Sequence, residues 1–224
     1  MSKGFFICFV GIDGSGKSTL SRAVVEILDQ QGIKCRYVYG RMKPIILRPF
    51  IWLGRQVFLR GRDMLEDYSE YSTKKQKAMM RHSFLLQFYN QILWLDYMLQ
   101  ILFKVSLPLT LGKNIVCDRY IHDTVITDLS IDMNYSERET AQYLHRALRF
   151  IPKPDINFLV DLPEEVAYLR KNDVPSINYL KVRRKTYLYM AREWKMTILD
   201  GTKTIEELRD ILRQILINTK GVAA

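Results

Sequence analysis

The sequence predicts a single α/β domain spanning residues 1–224, built on a five-stranded, mostly parallel sheet with helices on both faces. Three features point there. Short apolar runs alternate with stretches of helical periodicity along the chain. The first run ends in a glycine-rich loop that opens a helix. No internal repeat, low-complexity tract or linker interrupts the alternation.

Phe5-Phe6-Ile7-Cys8-Phe9-Val10 is continuously apolar and ends in glycine, the pattern of a parallel strand covered on both faces. Leu20, Ala23, Val24, Ile27 and Leu28 then follow helical spacing, and Gly32 closes that helix. Cys35-Arg36-Tyr37-Val38-Tyr39 is the second strand, completing a βαβ unit with an expected right-handed crossover. From about Arg41 to Ser72 the chain is both basic and apolar, with helical pieces expected between Pro44, Pro49 and Gly54. Residues from roughly Thr73 to Ser106 suit one or two long helices. Ile115-Val116-Cys117, ending in Asp118-Arg119, is the third strand. Ser136-Glu137-Arg138-Glu139 offers a capping box for the next helix, and Pro152 and Pro154 lie beyond its end. Ile156-Asn157-Phe158-Leu159-Val160 is the fourth strand, Asp161-Leu162-Pro163-Glu164-Glu165 opens a helix, and Met196-Thr197-Ile198-Leu199 is the fifth strand. Thr204-Ile205-Glu206-Glu207 is a second capping box, with Leu208, Leu212 and Ile215 marking the last helix.

Composition narrows the class. At 224 residues, 48% hydrophobic and 26% charged, the chain can bury a sizeable core. Its formal charge of +10 favours anionic partners: phosphate substrates, nucleic acid or anionic membranes. Cys8, Cys35 and Cys117 show no metal-ligand spacing and read as buried, reduced thiols. The chain runs from Met1-Ser2-Lys3 straight into a strand without a signal-peptide pattern, so a cytoplasmic location is expected. Ile92 to Phe103 is the most hydrophobic long stretch, but Asp96, Gln100 and Lys104 recur through it every fourth residue. That pattern fits a buried or interface helix rather than a membrane span, and makes a homodimer one expectation.

Gly11-Ile12-Asp13-Gly14-Ser15-Gly16-Lys17-Ser18 matches G-x-x-x-x-G-K-[ST] at every fixed position, with a buried strand before it and an amphipathic helix after. The spacing serves a mechanism. Glycines let the backbone curl so that successive N–H groups face phosphate oxygens at the positive end of the helix. Lys17 is placed to reach the β- and γ-phosphates, and the Ser18 hydroxyl to ligate Mg²⁺, so ATP and Mg²⁺ are the expected cofactors of a P-loop NTPase fold. Gly11, Asp13, Gly14, Ser15, Gly16, Lys17, Ser18 and Thr19 form the expected nucleotide cradle. Asp118 and Arg119 stand at a strand's carboxyl end, where open parallel sheets bind ligands. There Asp118 can orient the metal shell and Arg119 can clamp phosphate. Asp13 can touch the acceptor or cap the turn. Arg170, Lys171, Arg183 and Arg184 bracket a short polar segment, so residues of about 170–178 are expected to act as a basic lid.

These motifs together resemble the thymidylate kinase family of P-loop nucleoside monophosphate kinases over most of the chain. Phe9 to Thr19 is similar to that family's F-x-G-x-[DE]-G-x-G-K-[ST]-T, and Val116-Cys117-Asp118-Arg119-Tyr120 to its strand-borne D-R-[YFH]. Pro154 to Asp161 resembles its P-D-x-x-x-x-L-D strand. Tyr179-Leu180-Lys181-Val182-Arg183 with Tyr187 resembles the helix after its lid, and Leu199-Asp200-Gly201-Thr202 its last strand. The resemblance implies that Asp118 and Arg119 lie between donor and acceptor phosphates, that Arg41 contacts the acceptor phosphate, and that Arg170 and Arg183 serve the lid. The chain departs from the family in its acceptor half. Met42-Lys43 replaces Glu-Pro, and Leu93 and Tyr97 fall where the family has a base-stacking phenylalanine and an arginine. Asp128 holds a glutamine-or-threonine place, and the short lid lacks R-x-x-E.

Three readings follow. The first is phosphoryl transfer from ATP to a nucleoside monophosphate, thymidylate the leading candidate, with Arg41, Tyr97, Arg119, Asp13 and Asp128 as acceptor contacts. The second keeps the phosphotransfer but takes a nucleoside, sugar or lipid-linked alcohol, with Asp123 and Asp128 binding the hydroxyl or acting as base. In that reading Ile45 to Leu53 can rest on a membrane, though the stretch equally fits a dimer surface and fits ordinary core better. The third is a non-enzymatic NTP-binding or nucleic-acid-binding module. It lacks a recognition helix, an aromatic RNA-binding signature and an N-K-x-D motif, so no nucleic-acid partner is expected.

Overall fold

A computed structural model describes residues 3–41, 83–130, 135–171 and 173–219, with the side chains of 83–90, 93, 128 and 129 outside the description. The expected helical pieces of 41–72 therefore lie outside the described residues beyond Arg41. The chain divides into two compact units, one formed by residues Met1–Arg41 and Leu102–Ala224, the other by Met42–Ile101.

The first unit is organised by a five-stranded, all-parallel sheet of β1 (Phe6–Val10), β2 (Cys35–Tyr39), β3 (Asn114–Asp118), β4 (Ile156–Asp161) and β5 (Thr197–Asp200). The strand order β2-β3-β1-β4-β5 puts β1 at the centre. Its register pairs Phe9 with Asp118 on one side and with Phe158 on the other. Every β1 residue is buried, as its unbroken apolar run requires. The chain switches sides of β1 between β3 and β4, so the loops at the carboxyl ends of β1 and β3 flank the crevice where such sheets bind ligands.

One face of the sheet carries α1 (Lys17–Gln30) and α8 (Ile205–Asn218). Ile7, Phe9, Val116, Phe158 and Val160 meet Leu20, Val24, Ile27 and Leu28 of α1 and Leu208, Leu212 and Leu216 of α8 in one core cluster. Phe9 and Phe158 stack there with centroids 4.9 Å apart. Each fully buried side chain of this kind contributes about 1.5–3 kcal/mol, so the cluster anchors the glycine loop between β1 and α1. On the other face Phe6 meets Tyr120 edge-on at 5.1 Å.

Before β3 a π-helical turn, Leu102–Ser106, leads into α3 (Leu107–Thr110). The short α4 (Ile121–Thr124) runs on into another such turn, Val125–Leu129. Next come α5 (Glu137–Ala147), α6 (Glu164–Leu169) and α7 (Ile177–Glu193). Both expected capping boxes form: Ser136 with Glu139 on α5, and Thr204 with Glu207 on α8. Gly32 takes the left-handed conformation expected of it past α1, with φ at 77°. Of the cysteines, Cys8 and Cys117 are buried, Cys35 is half-buried, and all three are free.

In the second unit the described element is α2 (Ser83–Ile101). Its polar positions pair with each other, the Gln100 side-chain amide donating to Asp96 at 3.0 Å. Among the described residues no helix is long and apolar enough to cross a membrane.

Candidate active site

The loop between β1 and α1 is shaped by close backbone approaches. Gly14 has φ at 85°, and a Cβ placed there would sit 2.5 Å from the Ala167 carbonyl oxygen of α6. Gly11, at φ 143°, would collide in the same way with the Val160 carbonyl at the end of β4. Glycine is therefore required for the loop to lie against both neighbours. Gly16 caps α1 in the left-handed region, and no side chain caps the helix's first turn. That is the anion-receiving geometry the motif predicts.

Lys17 is only 3% exposed. Its ammonium donates to the Ile12 carbonyl at 2.5 Å and to Ser15 Oγ at 3.3 Å, folding back over its own loop. Burial, with help from the neighbouring Arg119 charge, lowers its pKa to about 8. Thr19 follows on the first turn of α1 with its side chain exposed.

Asp118 closes β3 opposite this turn. Its Oδ2 accepts from Ser18 Oγ at 2.5 Å and from the Tyr37 hydroxyl of β2 at 2.7 Å. Its Oδ1 is buried and has no hydrogen-bond partner among the described residues. A buried carboxylate oxygen left over beside a serine hydroxyl is a hard-oxygen pair of the kind Mg²⁺ selects. Among the described residues no group of three or more His, Cys, Asp or Glu could hold a metal alone.

Arg119 follows in a left-handed conformation, φ 67°, rare for a residue with a side chain. The corner is held by Arg119 N–H donating to the Phe9 carbonyl at 3.0 Å, and by Gly40, whose N–H reaches the Asp118 carbonyl at 3.1 Å. The guanidinium is buried between two carboxylates. Nη2 donates to Asp13 Oδ1 at 2.6 Å and Nη1 to Asp123 Oδ1 at 3.0 Å. Burial alone would raise the Asp13 carboxyl, but Arg119 and Lys17 hold it down at about 2. Asp123 is 0% exposed, and burial pushes its pKa up against the pull of Arg119 and Lys17.

The structure thus gathers Gly11, Asp13, Gly14, Ser15, Gly16, Lys17, Ser18, Asp118 and Arg119 at the carboxyl ends of β1 and β3. Arg41 lies just past β2, at the edge of the same compact unit. Tyr97 belongs to the other unit, its ring 6.1 Å from Trp94. Asp128 is on the π-helical turn after α4, and its side chain, like that of Leu93, is outside the description.

The lid cations separate. Arg170 caps α6, exposed, with Nη1 3.3 Å from the Gly201 carbonyl after β5. Lys171 lies 4.0 Å from Asp13 Oδ1 and 3.2 Å from Asp173. Arg183 is 2% exposed and donates to the Thr127 carbonyl at 2.8 Å. Arg184 grips Asp161 through Nε and Nη2 at 2.7 and 3.0 Å, and Glu164 at 2.8 Å.

Sequence reasoning passed over Tyr37 and left Asp123 attached to a different chemistry. Nothing in the β2 pattern marks Tyr37, because its use depends on register with β3 (Tyr37 opposite Val116). The signal for Asp123 was present: an acid four residues after an arginine, at helical ion-pair spacing.

No family model matches the chain. Curated relatives do, over nearly its whole length. A probable thymidylate kinase of Sulfurisphaera tokodaii is 29% identical over 220 residues, covering 94% of this chain and 95% of the relative. One of Sulfolobus acidocaldarius is 30% identical over 217 residues, 91% of this chain and 92% of the relative. The chain belongs to the thymidylate kinase family. A bacterial member, the thymidylate kinase of Fervidobacterium nodosum, is 29% identical over 93% of the chain and 96% of its own length.

Proposed function

We propose that this protein is a phosphotransferase that moves the γ-phosphoryl group of ATP to thymidylate, giving the diphosphate. The observation that carries the reading is the corner at the ends of β1 and β3, where Ser18 bonds Asp118 and Arg119 bonds Asp13. The protein needs no covalent chemistry for this reaction; it must position two anions and neutralise the charge between them. Loop N–H groups and Lys17 hold the donor phosphates. Arg119, carried on the rigid end of β3, faces the charge that spreads over the transferred group, and the lid cations Arg170 and Lys171 add to it. Mg²⁺, when bound, would be held by Ser18 and Asp118 and would offset phosphate charge. On the acceptor side, Asp13, Arg41, Tyr97 and Asp128 are each proposed as substrate contacts. The site serves a small-molecule acceptor rather than nucleic acid.

The reading in which an acceptor alcohol uses Asp123 as base is disfavoured by one observation. That carboxylate is fully buried and already bonded to Arg119, so a substrate hydroxyl has no approach to it. ADP release measured with thymidylate, other monophosphates, nucleosides and lipid-linked alcohols tests the proposal. Thymidylate is expected to give the highest kcat/KM; turnover confined to alcohols would overturn it.

A further inference from the structure

We infer that Asp123 is a positioning residue for phosphoryl transfer, acting through Arg119 and backed by Tyr187 of α7. Arg119 sits at a left-handed corner and is 8% exposed, so its guanidinium direction is set by what it bonds to rather than by solvent. Asp13 and Asp123 each take one terminal nitrogen, at 2.6 and 3.0 Å. The two carboxylates differ in kind. Asp13 is on the phosphate loop, where a nucleotide and acceptor will compete for it. Asp123 is one turn along α4, wholly buried, with nothing else to bond from solvent.

Tyr187 is buried close to Asp123, and neither its hydroxyl nor Asp123 Oδ2 has a hydrogen-bond partner among the described residues. Proximity to the Asp123 carboxylate adds to burial in keeping that phenol protonated, and so able to donate. The guanidinium on Asp123 Oδ1, with a buried phenol close by that is able to donate, limits how far the carboxylate can turn, and a held carboxylate holds Arg119. The same helix is tied to the π-helical turn after α4 by Arg183, whose Nη2 reaches the Thr127 carbonyl. Asp123 thus keeps Arg119 aimed when Asp13 turns to substrate.

The inference rests on the proposed kinase reading, and its test separates the two. Turnover with ATP and thymidylate is measured for wild type, Asp123→Asn, Arg119→Ala and the double variant, with thermal unfolding of each. Asp123→Asn is expected to lower kcat roughly tenfold while KM for both substrates stays within about twofold, since an interaction made in the transition state is lost. In the Arg119→Ala background the same change is expected to alter kcat by less than about twofold, because a residue that acts through another is silent once that other is gone. An equal loss in both backgrounds, or unchanged kcat in the single variant, overturns the inference. Should Asp123→Asn fail to fold, Tyr187→Phe replaces it in the same cycle, with roughly threefold expected and the same silence without Arg119. Wild type that releases no ADP with thymidylate sinks the kinase reading; active wild type with an indifferent Asp123→Asn sinks only this one.

Discussion

The phosphate corner and the base of the lid carry the same residue types, yet the structure uses them oppositely. At the corner, Lys17 and Arg119 are buried: Arg119 is matched to Asp13 and Asp123, and Lys17 folds onto the Ile12 carbonyl and Ser15 Oγ. At the lid base, Arg170 is exposed against a carbonyl, and Arg184 is a tie between the end of β4 and the start of α6. A basic residue beside a loop is thus informative only with its burial. Where desolvation has been accepted and offset by carboxylates in the phosphate crevice, the charge is prepared for another anion; where, as at Arg184, two carboxylates tie a part-exposed cation to neighbouring elements, the charge serves the fold.

The sharpest way to break this contrast is Lys17→Ala. Loss of the buried ammonium is expected to cut turnover roughly 10³-fold in a steady-state ADP-release assay, with a native circular dichroism spectrum. Retained turnover would mean the loop binds phosphate without contributing to the reaction. Arg119→Ala comes next, with an expected fall of roughly 10²-fold, and a change confined to melting temperature would make the arginine a structural ion pair. Arg184→Ala tests the other region. It should lower stability by about 1–2 kcal/mol in urea denaturation while kcat stays within about twofold, because a part-exposed bidentate pair supports packing and not chemistry. A large kcat loss there would erase the distinction between the regions.

How far the sequence carries a reader follows the same division. All five strands and both capping boxes were legible, since each rests on local pattern: an apolar run, or a Ser or Thr three residues before a Glu. The phosphate loop was legible because its glycines answer a backbone demand that few other sequences meet. Tyr37 was not, because it reaches Asp118 only through the pairing of β2 with β3, a contact 81 residues apart in the chain. The lid arginines were visible as charges, but their partners were not: Asp161 lies 23 residues from Arg184, and the Gly201 carbonyl 31 from Arg170. Such distances carry no periodic signal. Asp123 was visible as a candidate base, and only its complete burial beside Arg119 turns it into a support.

The smallest effect is also the most specific to the corner. Lys17 titrates near 8 in the folded protein against a normal value of 10.5, chiefly because it is buried. The sign follows from linkage: between those values the unfolded chain holds the extra proton, so the stability owed to this residue rises with pH across that window. A phosphate placed on the ammonium favours its charged form, so ATP binding near pH 8 must draw a proton from solvent. Calorimetry in two buffers of different ionisation enthalpy is expected to show uptake of about half a proton per ATP at that pH. Lys17→Arg keeps a cation there that cannot lose its proton and should abolish the uptake, even where it preserves some affinity. Equal proton uptake in wild type and Lys17→Arg would place the titrating group elsewhere, and would remove the claim that burial at this corner holds the lysine ready for an incoming phosphate.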